Sequence, residues 1–136
     1  MTNRSIVACV EDLFFRSKIE ATARHLNVPV RFAEAKDLAA AAGRDDTAAV
    51  LLEVSPESAP LDTIRRLRRE SRTSELPVIG FLRHTDRELA KQAENAGFTR
   101  VLARSEFSET LPDLVMDLLA PGTKREVQEE PELPDE

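Results

Sequence analysis

The sequence predicts an α/β domain in which a doubly wound, five-stranded parallel sheet carries five helices on its two faces. Three observations predict it. Five short apolar runs recur between residues 6 and 103, each continuous rather than alternating, as strands covered on both faces require. Stretches with apolar residues at helical spacing separate these runs. The two kinds of segment take turns along about 120 residues, the order that builds right-handed βαβ crossovers.

The first strand is Ile6 to Val10. Residues 12–26 follow as a helix with Phe15, Ile19, Thr22, Ala23 and Leu26 on one stripe, and His25 near its end faces the negative pole of the helix dipole. Val28 to Ala33, with Pro29 near its start, is the second strand. Residues 36–42 are rich in helix formers and stop at Gly43, a C-cap residue. Ala48 to Val54 is the third strand, and the helix over 61–71 turns Leu61, Ile64 and Leu67 inward. Its arginines at 65, 66, 68, 69 and 72 read as a solvated basic face. Pro77 leads into the fourth strand, Val78 to Leu82, whose internal Gly80 implies close packing by a neighbour, Phe98 or Phe107. Thr85 with Glu88 three residues on is a capping pair for a helix over 86–95. Val101 to Ala103 is the fifth strand, and Ser105 or Ser108 opens a last helix carrying Leu111, Leu114, Val115, Leu118 and Leu119.

Length and charge fix the organisation. A chain of 136 residues fits one domain over 1–120, followed by a tail over 121–136 with six acidic residues, two basic ones and three prolines. That composition reads as disordered. The tail carries −4 of the net charge of −6, which leaves the domain nearly balanced and gives no footprint for nucleic acid. Aromatic residues are 4% of the chain, so the core rests on Leu, Val, Ile, Ala and six Phe. Cys9 is the single cysteine, so no disulfide framework exists. The first apolar run is too short for a signal peptide or a membrane span, which points to a soluble, cytoplasmic chain without a membrane partner.

In a doubly wound sheet the working residues sit at the C-terminal strand tips. Those tips carry Glu11 and Asp12, then Glu53, then Leu82 to His84, then Arg104. Glu11, Asp12 and Glu53 together could offer oxygen ligands to a hard cation such as Mg²⁺, or Asp12 could simply cap the first helix. Arg104 is suited to clamp Glu53 or Glu11 as an ion pair. His84 is the lone imidazole above the cleft, Ser105 is a further candidate cleft residue, and Phe14 is expected half exposed beside the cleft. No phosphate-binding glycine loop, Cys/His metal spacing or nucleophile elbow is present.

The pieces Val10-Glu11-Asp12, Leu51-Leu52-Glu53-Val54, Leu76-Pro77-Val78-Ile79, Ala96-Gly97 and Arg104, in that order over residues 5–120, resemble a receiver domain of bacterial response regulators. The resemblance implies a flavodoxin-like sheet. In that family an acidic pair follows the first strand, a phosphoacceptor aspartate ends the third, a Ser or Thr ends the fourth, and Lys-Pro ends the fifth. Here the acceptor position holds Glu53, and the hydroxyl position falls on Leu82 or Arg83. The lysine position is Arg104, followed by Ser105, and the aromatic switch position falls on Val101. These departures make the chain similar to a pseudo-receiver.

The expectation is therefore a stand-alone, non-enzymatic signalling module, unphosphorylated because the acceptor position is Glu53. The resemblance implies a protein partner or homodimer contact through residues 86–118. The alternative is an active phosphorelay receiver of two-component signalling, with Mg²⁺ at Glu11, Asp12 and Glu53. A third possibility is a ligand binder using His84, Asp86 and Glu53.

Overall fold

The computed structural model describes residues 4–55, 61–82 and 86–119. Strand β1 (Ser5–Cys9) leads to helix α1 (Leu13–His25), strand β2 (Val30–Phe32), a single 3₁₀ turn (Ala35–Asp37) and helix α2 (Leu38–Ala42). Strand β3 (Thr47–Glu53), helix α3 (Leu61–Arg69) and strand β4 (Val78–Leu82) follow. Helix α4 (Arg87–Ala96), strand β5 (Arg100–Ala103) and helix α5 (Arg104–Leu119) complete the elements of the described residues. All pairings are parallel, and the strand order is β2-β1-β3-β4-β5. The chain therefore doubles back at β1, which sets the tips of β1 and β3 side by side at the topological switch point. The five strands and five helices expected from the apolar runs are all present.

Alternation along each strand divides the core. Ile6, Ala8, Ala49, Leu51, Ile79 and Phe81 face α1 and α5, where Phe15, Ile19, Phe107 and Leu111 meet them. Val7, Val50, Leu52, Val78 and Leu82 face α2, α3 and α4, against Leu38, Ile64, Leu67, Leu89 and Phe98. Gly80 lies on this second face, and a Cβ there would sit 2.6 Å from a Phe98 ring carbon. Phe98, rather than Phe107, is thus the neighbour that requires a glycine.

Several boundaries differ from expectation. The helix expected over 36–42 is a 3₁₀ turn followed by one and a half turns of α-helix. Strand β3 begins one residue early because Thr47 already pairs with Ser5 of β1; its buried hydroxyl donates to the Ala41 carbonyl at 3.2 Å. Helix α4 is capped by Asp86, whose Oδ1 accepts the Leu89 N–H at 3.4 Å; Thr85 lies outside the described residues. Helix α5 opens at Arg104, not at Ser105 or Ser108, because β5 runs into it without a loop. The arginines of α3 are not one solvated face. Arg68 is half-buried and donates to the carbonyls of Gly97, Thr73, Ser74 and Leu76, the last at 2.7 Å. Arg72 reaches the Gly43 carbonyl at 2.8 Å.

Candidate functional site

Strand β3 is fully buried until its last residue, so its backbone delivers the Glu53 carboxylate to the rim of the sheet. Glu53 Oε1 accepts two N–H groups from the turn between β1 and α1, Glu11 at 2.8 Å and Asp12 at 3.1 Å. A side chain one methylene longer than aspartate can span the gap to β1. Here it ties the two central strand tips together.

Asp12 is the N-cap of α1. Its Oδ1 accepts the N–H groups of Phe14 at 2.9 Å and Phe15 at 3.3 Å. Its Oδ2 accepts Arg104 Nη2 at 2.8 Å. Burial acts to raise the Asp12 pKa, but the Phe15 and Phe14 N–H groups and the Arg104 guanidinium outweigh it and hold the carboxyl below its ordinary value. Arg104 also lies over the Phe15 ring, 4.8 Å from its centroid. The ion pair expected between Arg104 and Glu53 or Glu11 is corrected here. Arg104 takes Asp12, the carboxylate that α1 presents to the start of α5.

Glu11, Asp12 and Glu53, the residues expected to offer oxygens to Mg²⁺, are held apart by separate partners. Among the described residues, no three His, Cys, Asp or Glu side chains are grouped so that they could hold a metal ion. Both Asp12 oxygens and one Glu53 oxygen already serve N–H donors, and Glu11 is exposed at the turn.

A cleft of about 630 Å³ opens beside Glu53 on the β2 side of the switch point, lined by Cys9, Arg16, Phe32, Glu34 and Lys36 among others. Arg16 packs 4.3 Å above the Phe32 ring centroid and donates to the Val10 carbonyl at 3.2 Å. Burial, reinforced by Glu11, Glu53 and Glu34, pushes the Cys9 thiol up to about 11, so Cys9 is a neutral thiol and a poor nucleophile near neutral pH. Arg16, Phe32 and Lys36 were not singled out in the sequence. Only the strand order, which places β2 next to β1, reveals that they share a cleft with Glu53.

The other expected site residues are scattered. Leu82 is buried at the end of β4, and Val101 is half-buried against the face shared by α2, α3 and α4. Ser105 is exposed on the first turn of α5, away from the cleft lining. Asp86 is occupied as the α4 cap rather than serving the cleft. Arg83 and His84 lie outside the described residues. Phe14 is 66% exposed on the first turn of α1, with Leu13 beside it at 76%.

No protein-family model matches the sequence. No curated protein matches it either. Solved structures do match. A response regulator from Hahella chejuensis superposes with a TM-score of 0.76 at 12% identity, over 88% of this chain and 98% of that one. A chemotaxis response regulator of Vibrio cholerae gives 0.72 at 18% identity, over 87% of this chain and all of the other. The receiver domain of a sensor histidine kinase from Pseudomonas aeruginosa, which holds a magnesium ion in its active-site cleft, gives 0.73 at 18% identity over 87% and 98%. These superpositions, together with the 2-1-3-4-5 strand order, establish that the chain has the fold of response-regulator receiver domains.

Proposed function

We propose that the chain is a receiver-like signalling module of the pseudo-receiver type, acting by protein–protein contact rather than by phosphorylation or other catalysis. The observation that carries this reading is the commitment of Glu53. Phosphoryl transfer to a carboxylate needs an oxygen presented in line with the donor and cations free to neutralise the transferred group. Glu53 Oε1 instead accepts two backbone N–H groups, and Arg104, the nearby cation, is spent on Asp12. Misplacement of a reacting atom by about 1 Å is enough to lower a rate roughly 100-fold.

Output then falls to the surface built by α4, β5 and α5, residues 86–118, toward a protein partner or a second copy. Arg100 is exposed on the edge strand, and Met116 is 53% exposed on α5. No described helix is long and apolar enough to cross a membrane, which is consistent with a cytoplasmic module.

The test is intact mass after incubation with acetyl phosphate and Mg²⁺, with wild type beside Glu53→Gln. No mass gain in either is expected. A single phosphoryl adduct on the wild type that the Gln variant lacks would make this an active phosphorelay receiver with a glutamate acceptor.

A further inference from the structure

We propose that the exposed basic side of helix α3 is a docking face for the chain's own acidic segment, residues 126–136. Helix α3 presents Arg66 and Arg69 to solvent, and among the described residues no carboxylate pairs with either. Arg68 beside them spends its donors on the carbonyls of Gly97, Thr73, Ser74 and Leu76, so its charge meets no carboxylate either. Arg65 is bonded to Asp62 at 2.7 Å, and Arg72 reaches Asp45 at 3.6 Å. Glu70 and Glu75 are the other nearby acids, and the segment 61–75 keeps a net charge of +2. The dipole of α3 favours cations in its last turn, yet it takes up none of their side-chain donors.

The occupant follows from charge and reach. Residues 126–136 hold six acidic residues and no basic one. Like charges at that density repel one another and favour a cationic partner. Parallel crossovers bring α3 and α5 to one edge of the sheet. The last turn of α3 lies beside the entry to β4, where Arg68 meets the Leu76 carbonyl. Helix α5 starts at the tip of β5 and packs back along β4 and β3, so it ends at that same edge. The two helices lie on opposite faces of the sheet. Crossing it spans roughly 20 Å, a layer of about 10 Å on each side. Glu126 lies seven residues beyond Leu119, a reach of about 25 Å when extended. The first acid can therefore meet the arginines, and the others can run along α3. A tether supplies an effective concentration in the millimolar range, so a millimolar affinity keeps the segment docked about half of the time. The contact is exposed and screened by water, so it adds little to folding stability. It is independent of what Glu53 does.

The experiment places a nitroxide at Gln128→Cys in a Cys9→Ala background of the full chain, which leaves every acid in place. Amide signals of residues 64–72 are expected to lose about half of their intensity or more at about 0.05 M salt, and to regain it at about 1 M. Arg66→Glu combined with Arg69→Glu, both on the exposed side of α3, should restore the signals at low salt. Equal losses on the solvent side of α1, or losses that the double reversal leaves unchanged, overturn the proposal. So does broadening of unlabelled ¹⁵N chains mixed with spin-labelled ones, which would place the segment on a second copy. A second reading needs no change at Cys9. In the wild-type chain the amides of 64–72 should shift between low and high salt, and the double reversal should remove that shift. If those amides ignore salt and shift saturably only on added hexaglutamate, the face belongs to a separate acidic partner and the proposal falls.

Discussion

At Asp12 one carboxylate serves two helices. It caps α1 through the N–H groups of Phe14 and Phe15 and anchors the first residue of α5 through Arg104. Because its carboxyl is held below the ordinary value of 3.8, the ionised form is the one the fold stabilises. That contribution is fully present above the unfolded-state value. It is lost as pH falls below about 4 through the folded-state value. Urea midpoints between pH 2 and 7 should therefore show a shallower acid limb for Asp12→Asn than for wild type. At pH 7 the same variant should cost about 1 kcal/mol, because asparagine still caps the helix and the pair with Arg104 is a third exposed and screened by water. An acid limb of equal steepness in both proteins would count against the role given to Arg104. The Asp12 cap was one of the options the sequence left open. Its partner was not, since Asp12 and Arg104 are 92 residues apart.

Among the elements, β4 shows how a single residue records its neighbour. Gly80 is buried in mid-strand, and the space its Cβ would need is taken by the Phe98 ring, with Val54 on the other side at 3.2 Å. Gly80→Ala is expected to cost about 1–3 kcal/mol in urea unfolding, since either the ring or the strand must move. A neutral result would mean that Phe98 repacks freely. The sequence foretold the crowding and left two rings as candidates. Strand alternation decides between them, because Gly80 shares the face of Val78 and Leu82, where Phe98 lies. Arg68 is the opposite case. Its place in a run of arginines reads as solvent-facing, yet its guanidinium satisfies carbonyls at the end of α4 and in the loop before β4. Burial lowers its pKa, the mark of a cation used as structural glue. Nothing local in the sequence separates it from Arg66 or Arg69, which are exposed on the same helix.

At the scale of the whole molecule, two apolar layers sandwich one sheet, and the inward stripe of α5 ends at Leu118. The acidic composition of residues 121–136 offers the core only Val127 and Leu133. A chain ending at residue 120 is therefore expected to keep its urea midpoint within about 0.5 kcal/mol of the full chain, the range of changes that touch no core or network. A larger loss would give the tail a structural role.

The sequence by itself determined the layer architecture, because continuous apolar runs and helical stripes record burial directly in the order of residue types. It also determined which carboxylate ends β3 and that this residue is a glutamate. The tertiary structure decided what that glutamate does. Strand order placed the β1–α1 turn, rather than Arg104, within reach of Glu53, and carried Arg104 to Asp12 across the α1–α5 side of the sheet. Pairings of this kind depend on which chain segments become neighbours. Hydrophobic periodicity fixes the faces of each element but not the neighbours its polar groups will find.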